Sequence, residues 1–146
     1  MQPAHARLHG LRVLIVEDEP LILIDCETIL KDIGVGTVVG VTTAKDAVHA
    51  VENADAAFHV AILDVSLQDS SSLPLADVLE ARGVITGFMS GYGHDDLPEQ
   101  FQARPYVAKP FVPAQLKAML EELIGLDSRS ASQPGTPEGD ARCQGK

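Results

Sequence analysis

Short apolar runs alternate with amphipathic stretches along the whole first five-sixths of the chain. Residues 11–16 are almost wholly apolar and stop abruptly at Glu17-Asp18-Glu19-Pro20. That is the pattern of a parallel strand buried on both faces and followed by a sharp turn. Residues 37–41 form a second strand candidate, and residues 59–63 a third that ends at Asp64. Residues 84–89 and 106–108 supply a fourth and a fifth. Between them, apolar side chains recur at helical spacing. Ile22, Cys26, Ile29 and Ile33 follow Pro20, which suits a first helical turn with Asp18 or Glu19 at the N-cap. Ala47, Val48 and Val51 follow a Thr42 or Thr43 cap; Leu75, Val78 and Leu79 follow Ser70-Ser71-Ser72. Leu116, Met119, Leu120 and Leu123 mark a last helix over 112–124, while Gly34 and Gly83 are natural stops. Residues 91–104 show little periodicity and predict at most a short helix around 98–102.

Strands alternating with helices call for a parallel sheet covered on both faces, a doubly wound α/β fold. Its ligand site belongs at the carboxyl ends of the strands, beside the point where the strand order reverses. The division predicted is an N-terminal extension over 1–10, one folded domain over 11–125, and a tail over 126–146. Ser, Gly, Pro, Asp and Gln dominate that tail, which predicts disorder and leaves no length for an effector domain.

Composition narrows the function classes. The 146 residues carry a net charge of -10, which disfavours non-specific binding to nucleic acid or to anionic lipid. Cys26 falls in a helical apolar pattern and reads as core, and Cys143 has no partner at a suggestive spacing. With no signal peptide or membrane-length apolar run, a reducing cytoplasm is the expected location.

The strand ends carry the chemistry. Glu17, Asp18 and Asp64 would share one cleft, and clustered carboxylates repel unless a cation neutralises them. A hard divalent ion, chiefly Mg²⁺, is the natural occupant. Ser90 closes the fourth strand with a hydroxyl, and Lys109, before Pro110, can place an ammonium beside Asp64. A carboxylate nucleophile, a metal, a hydroxyl and an ammonium meet the needs of phosphoryl transfer to a carboxylate.

In order along the chain, Val13-Leu14-Ile15-Val16-Glu17-Asp18-Glu19, Ile62-Leu63-Asp64, Met89-Ser90-Gly91 and Tyr106-Val107-Ala108-Lys109-Pro110-Phe111 resemble the signature of two-component receiver domains. The resemblance covers about residues 11–125 and implies the flavodoxin-like strand order 2-1-3-4-5. It implies that Asp64 is the phospho-acceptor and that Asp18 and Asp64 ligate Mg²⁺ directly. Glu17 would hold a metal-bound water, and the Ser66 carbonyl would add a ligand. Ser90 would rotate onto the phosphoryl group, Lys109 would pair with it, and Tyr106 would swap rotamer. The Pro and Gly common in the loop after the acceptor are absent from Leu67-Gln68-Asp69-Ser70. Phe88-Met89-Ser90-Gly91-Tyr92-Gly93 resembles the Phe-Ala-Thr-Gly-Tyr pattern of a subgroup of stand-alone receivers, which brings Tyr92 in as a second switch candidate. That subgroup implies a sensor histidine kinase, of the HWE or a related class, or a phosphotransfer protein as donor. Output would pass to a downstream protein, through a homodimer, or into a phosphate sink, and the module itself would not be an enzyme. The helix starting at Pro20, with its run Leu21-Ile22-Leu23-Ile24, is the expected kinase-docking surface.

Three rivals share parts of the pattern. A flavin carrier would place its phosphate after the first strand, where Glu17-Asp18-Glu19 repels it. An aspartyl-phosphate phosphatase needs a general acid two residues after the nucleophile, where Ser66 stands. A receiver-like interaction module that is never phosphorylated has no use for Asp18, Asp64, Ser90 and Lys109 together.

Overall fold

A computed structural model describes residues 8–65, 72–91, 104–109 and 111–131 of the chain. Its elements are β1 (Arg12–Val16), α1 (Pro20–Asp32), β2 (Thr37–Val41), α2 (Ala44–Glu52), β3 (Val60–Asp64), α3 (Ser72–Ala81), β4 (Ile85–Ser90), β5 (Tyr106–Ala108) and α4 (Pro113–Ala131). The five strands form one sheet in the order β2-β1-β3-β4-β5, all parallel. This is the doubly wound order expected from the alternation of elements.

Strand alternation divides the core in two. Val13, Ile15, Val60 and Ile62 point to one face, where α1 and α4 cover them with Leu23, Cys26, Leu30, Leu116, Leu120 and Leu123. Leu14, Val16, Ala61 and Leu63 point to the other, under Ala47 of α2 and Leu75, Ala76 and Leu79 of α3. β1 and β3 lie inside the sheet and are buried on both sides, hence their unbroken apolar runs.

Several boundaries differ from the sequence reading. The buried seam of α1 is Leu23, Cys26 and Leu30, while Ile22, Ile29 and Ile33 lie at its margin and Leu21 and Ile24 face outward. Glu19 takes the N-cap position of α1 but makes no side-chain cap hydrogen bond. Pro20 at the helix start needs no N–H partner, and Glu17 Oε2 accepts from the Glu19 N–H instead, at 3.0 Å. Thr43 caps α2, its Oγ1 accepting from the Asp46 N–H. Val78 is exposed rather than inward-facing. The strand placed over 84–89 runs instead from Ile85 to Ser90.

Both ends of the domain also move outward. α4 continues through Gly125 to Ala131, so the first six residues assigned to a disordered tail are helical. One glycine costs a helix only about 1 kcal/mol, and the next proline is Pro134. The predicted N-terminal extension is in part core. Leu8 is 2% exposed, and its carbonyl accepts the N–H groups of Leu11 and Gly36. This contact makes Gly36 specific: a Cβ there would lie 1.7 Å from the His9 carbonyl oxygen, a backbone atom with little room to yield. Gly36→Ala is expected to lower stability by about 2 kcal/mol. An unchanged urea midpoint would show that the N-terminal turn adapts freely.

Candidate acidic phospho-acceptor site

The register of the sheet brings four strand ends to one level. Val16 pairs with Leu63, Asp64 with Met89, and Ser90 with Ala108. Glu17 and Asp18 therefore leave β1 beside Asp64 at the end of β3, with Ser90 closing β4 and Lys109 following β5. Backbone bonds continue the sheet one step past the strands: the Val65 N–H donates to Met89 O and the Lys109 N–H to Ser90 O, both at 2.8 Å. The Glu17 N–H donates to Val41 O at 3.1 Å. Glu17, Asp64 and Ser90 are all buried, the first of them completely.

Lys109 neutralises this corner. Its Nζ stands 2.7 Å from Glu17 Oε1 and 3.1 Å from Asp64 Oδ2. The Glu17 contact is a close ion pair, and among the described residues Oε1 has no hydrogen bond of regular geometry. The sequence reading placed the ammonium beside Asp64; the structure adds Glu17, at the shorter distance. Burial pushes the Glu17 carboxyl up to about 7, against the pull of Lys109 and the Glu19 N–H, and nearby Asp64 adds to the rise. Burial works against the charge on Lys109, but Glu17 and Asp64 outweigh it and its pKa is raised.

Among the described residues, three carboxylates stand together around the single charge of Lys109. Glu17, Asp18 and Asp64 each offer an oxygen, all within 4.8 Å of one another. Two like charges at that separation repel by on the order of 3 kcal/mol at an effective dielectric of 20. A compact set of hard oxygen donors with excess negative charge fits a small divalent ion that keeps some of its waters, which is the chemistry of Mg²⁺. Glu17, Asp18 and Asp64 are the residues placed to hold it. Ser66 and Tyr92 lie outside the described residues. Tyr106 is half-buried at the start of β5, packed against the α2–α3 side of the core.

Behind the site, Cys26 Sγ lies 3.6 Å from Met89 Sδ. Burial, with the charge of Glu17, pushes its thiol up to about 12, so it stays protonated and unreactive. The residues serve packing, as the helical pattern around Cys26 predicted.

Residues 13–121 match the family model of the response regulator receiver domain. The chain belongs to that family. Among its relatives, the phyllosphere-induced regulator PhyR of Methylorubrum extorquens is 30% identical over 120 residues, 77% of this chain. That stretch is 43% of PhyR, so the receiver chain spans less than half the length of this relative. The solution structure of SdrG from Sphingomonas melonis Fr1 is 36% identical, with a TM-score of 0.67 over 78% of this chain and 96% of that one. A solution structure of SdrG in its BeF3-activated conformation, from Pseudomonas melonis Fr1, gives 36% identity and a TM-score of 0.68. It covers 77% of this receiver and 95% of SdrG.

Proposed function

We propose that this receiver accepts a phosphoryl group on Asp64 in a Mg²⁺-dependent reaction and signals by the resulting change of state. The observation that carries the reading is the contact of Lys109 Nζ with both Asp64 and Glu17 inside a three-carboxylate cluster at the strand ends. An Asp64 oxygen attacks phosphorus in line, and the bond from phosphorus to the donor breaks, a P–N bond where the donor is a phosphohistidine. Mg²⁺ held by Glu17, Asp18 and Asp64, with the Ser66 carbonyl, would screen the charge of the oncoming phosphate. Lys109 pairs with the phosphoryl oxygens, and Ser90, whose backbone carbonyl already binds Lys109, supplies a hydroxyl. Ser90, Tyr92 and Tyr106 are the side chains assigned to the switch, a shift of population between two states.

The donor is a sensor histidine kinase, of the HWE or a related class, or a phosphotransfer protein. The reaction is a single transfer and hydrolysis on the module itself, in the cytoplasm, with output to a downstream protein, a homodimer or a phosphate sink. The BeF3-activated form of SdrG supports an acceptor of this kind, since BeF3 stands in for a phosphoryl group on a carboxylate. Intact mass after incubation with acetyl phosphate and Mg²⁺ should show one added phosphoryl group. Peptide mapping should place it on Asp64, and a chelator should prevent it. An adduct elsewhere, or none from either acetyl phosphate or a cognate kinase, would sink the reading.

A further inference from the structure

Away from the acceptor site, one carboxylate joins three parts of the fold. Glu80, near the end of α3, accepts from the Thr86 hydroxyl of β4 and from both Nε and Nη2 of Arg104, the Nε contact at 2.7 Å. Thr86 is buried, in the middle of an apolar strand run where a hydroxyl needs a partner. The Glu80 and Arg104 side chains are mostly covered, at 24% and 32% exposure. Burial alone would raise Glu80, but Arg104 and Thr86 hold its carboxyl below the usual range. The forked arrangement distinguishes this pair from Arg82–Glu52, a single contact at 3.0 Å between side chains 44% and 49% exposed.

Arg104 stands two residues before β5, and β5 is a three-residue edge strand. Its placement on β4 rests on the Phe88–Tyr106 to Ser90–Ala108 register, with the Phe88 N–H on Pro105 O and the Lys109 N–H on Ser90 O. A slip of one residue would turn every side chain to the opposite face. It would also carry the Lys109 ammonium away from Asp64 and Glu17. We propose that Glu80 and Arg104 are a positioning pair, locking the register of β5 from its far end and so holding Lys109 in the acceptor site. Thr86 anchors Glu80 to the interior of the sheet. The consequence for phosphoryl transfer rests on the function proposed above; the consequence for β5 does not.

Native-state amide exchange and phosphoryl uptake from acetyl phosphate, measured on the full chain, test the pair. In Glu80→Ala and Arg104→Ala, the Phe88 and Lys109 amides should exchange about tenfold faster, while Ile15 and Ile62 amides in the sheet centre hold their protection. Uptake should slow by about tenfold, since small misplacements of an aligned group are costly. The double variant should be no worse than either single one, because the two act as a unit. Arg104→Lys, which keeps the charge without the fork, should fall between, and Arg82→Ala should match the parent. Unchanged protection at Phe88 and Lys109 would overturn the proposal, as would a uniform loss of protection across the sheet. Should Glu80→Ala fail to fold, Arg104→Lys and Thr86→Val carry the same comparison. A parent protein that takes up no phosphoryl group would defeat the proposed function, and amide exchange alone would then decide the positioning role.

Discussion

Asp64→Asn is expected to take up no phosphoryl group and to melt at a higher temperature than the parent protein in metal-free buffer. Asparagine keeps the shape of the side chain but has no carboxylate oxygen to attack phosphorus. It also removes one of the negative charges packed within 4.8 Å of each other, leaving Lys109 to Glu17 at 2.7 Å. Like-charge repulsion in the parent opposes folding, and relieving it should raise Tm by a few degrees. Mg²⁺ should then stabilise the parent, by binding the folded state, far more than it stabilises the variant. Thermal melts with and without Mg²⁺, alongside the mass assay, measure both halves. A variant that melts lower without metal would show that Asp64 is net stabilising in its site.

Lys109→Met should have the opposite sign. Methionine keeps an unbranched apolar stem of similar length but strips the ammonium from two buried carboxylates. Breaking a buried pair by removing one partner costs about 3–5 kcal/mol near neutral pH. The loss should depend on pH through Glu17. Its folded-state pKa is about 7 against an ordinary 4.5, so the folded form holds a proton that the unfolded form gives up. The Glu17 contribution to stability is therefore full below about 4.5 and is lost as pH rises through about 7. Without Lys109 that carboxyl rises further, and the variant should recover much of its deficit at pH 5.5 relative to pH 8. Urea unfolding in chelator at the two pH values checks this. Equal deficits at both would place the cost in packing rather than charge.

The architecture was legible because the central strands are buried on both faces. Residues 13–16 and 60–63 are apolar without alternation and each run ends in a carboxylate, the pattern of a strand buried in a parallel sheet. Glu17, Asp18, Asp64, Ser90 and Lys109 followed from strand ends alone, and the sheet register brings those ends to one level. What sequence could not fix was choice among apolar neighbours. Leu21-Ile22-Leu23-Ile24 offers four candidates for one seam, and only the packed helix shows that Leu23, with Cys26 and Leu30, is the buried one. Glu80 and Arg104 are separated by 24 residues and carry no periodic signal. The buried Thr86 was the one hint, a hydroxyl in an apolar run that had to be satisfied somewhere.

Leu8 also bears on where the folded unit begins, since its side chain is buried in the core. The recognisable family pattern starts at residue 13 and stops at 121. Trimming the protein to that pattern would discard Leu8 and Leu11 at one end and Leu123 and Ile124 at the other, all buried in the same half of the core. The packed body is wider than the matched stretch, because Leu8, Leu11, Leu123 and Ile124 close the α1–α4 half of the core from outside it.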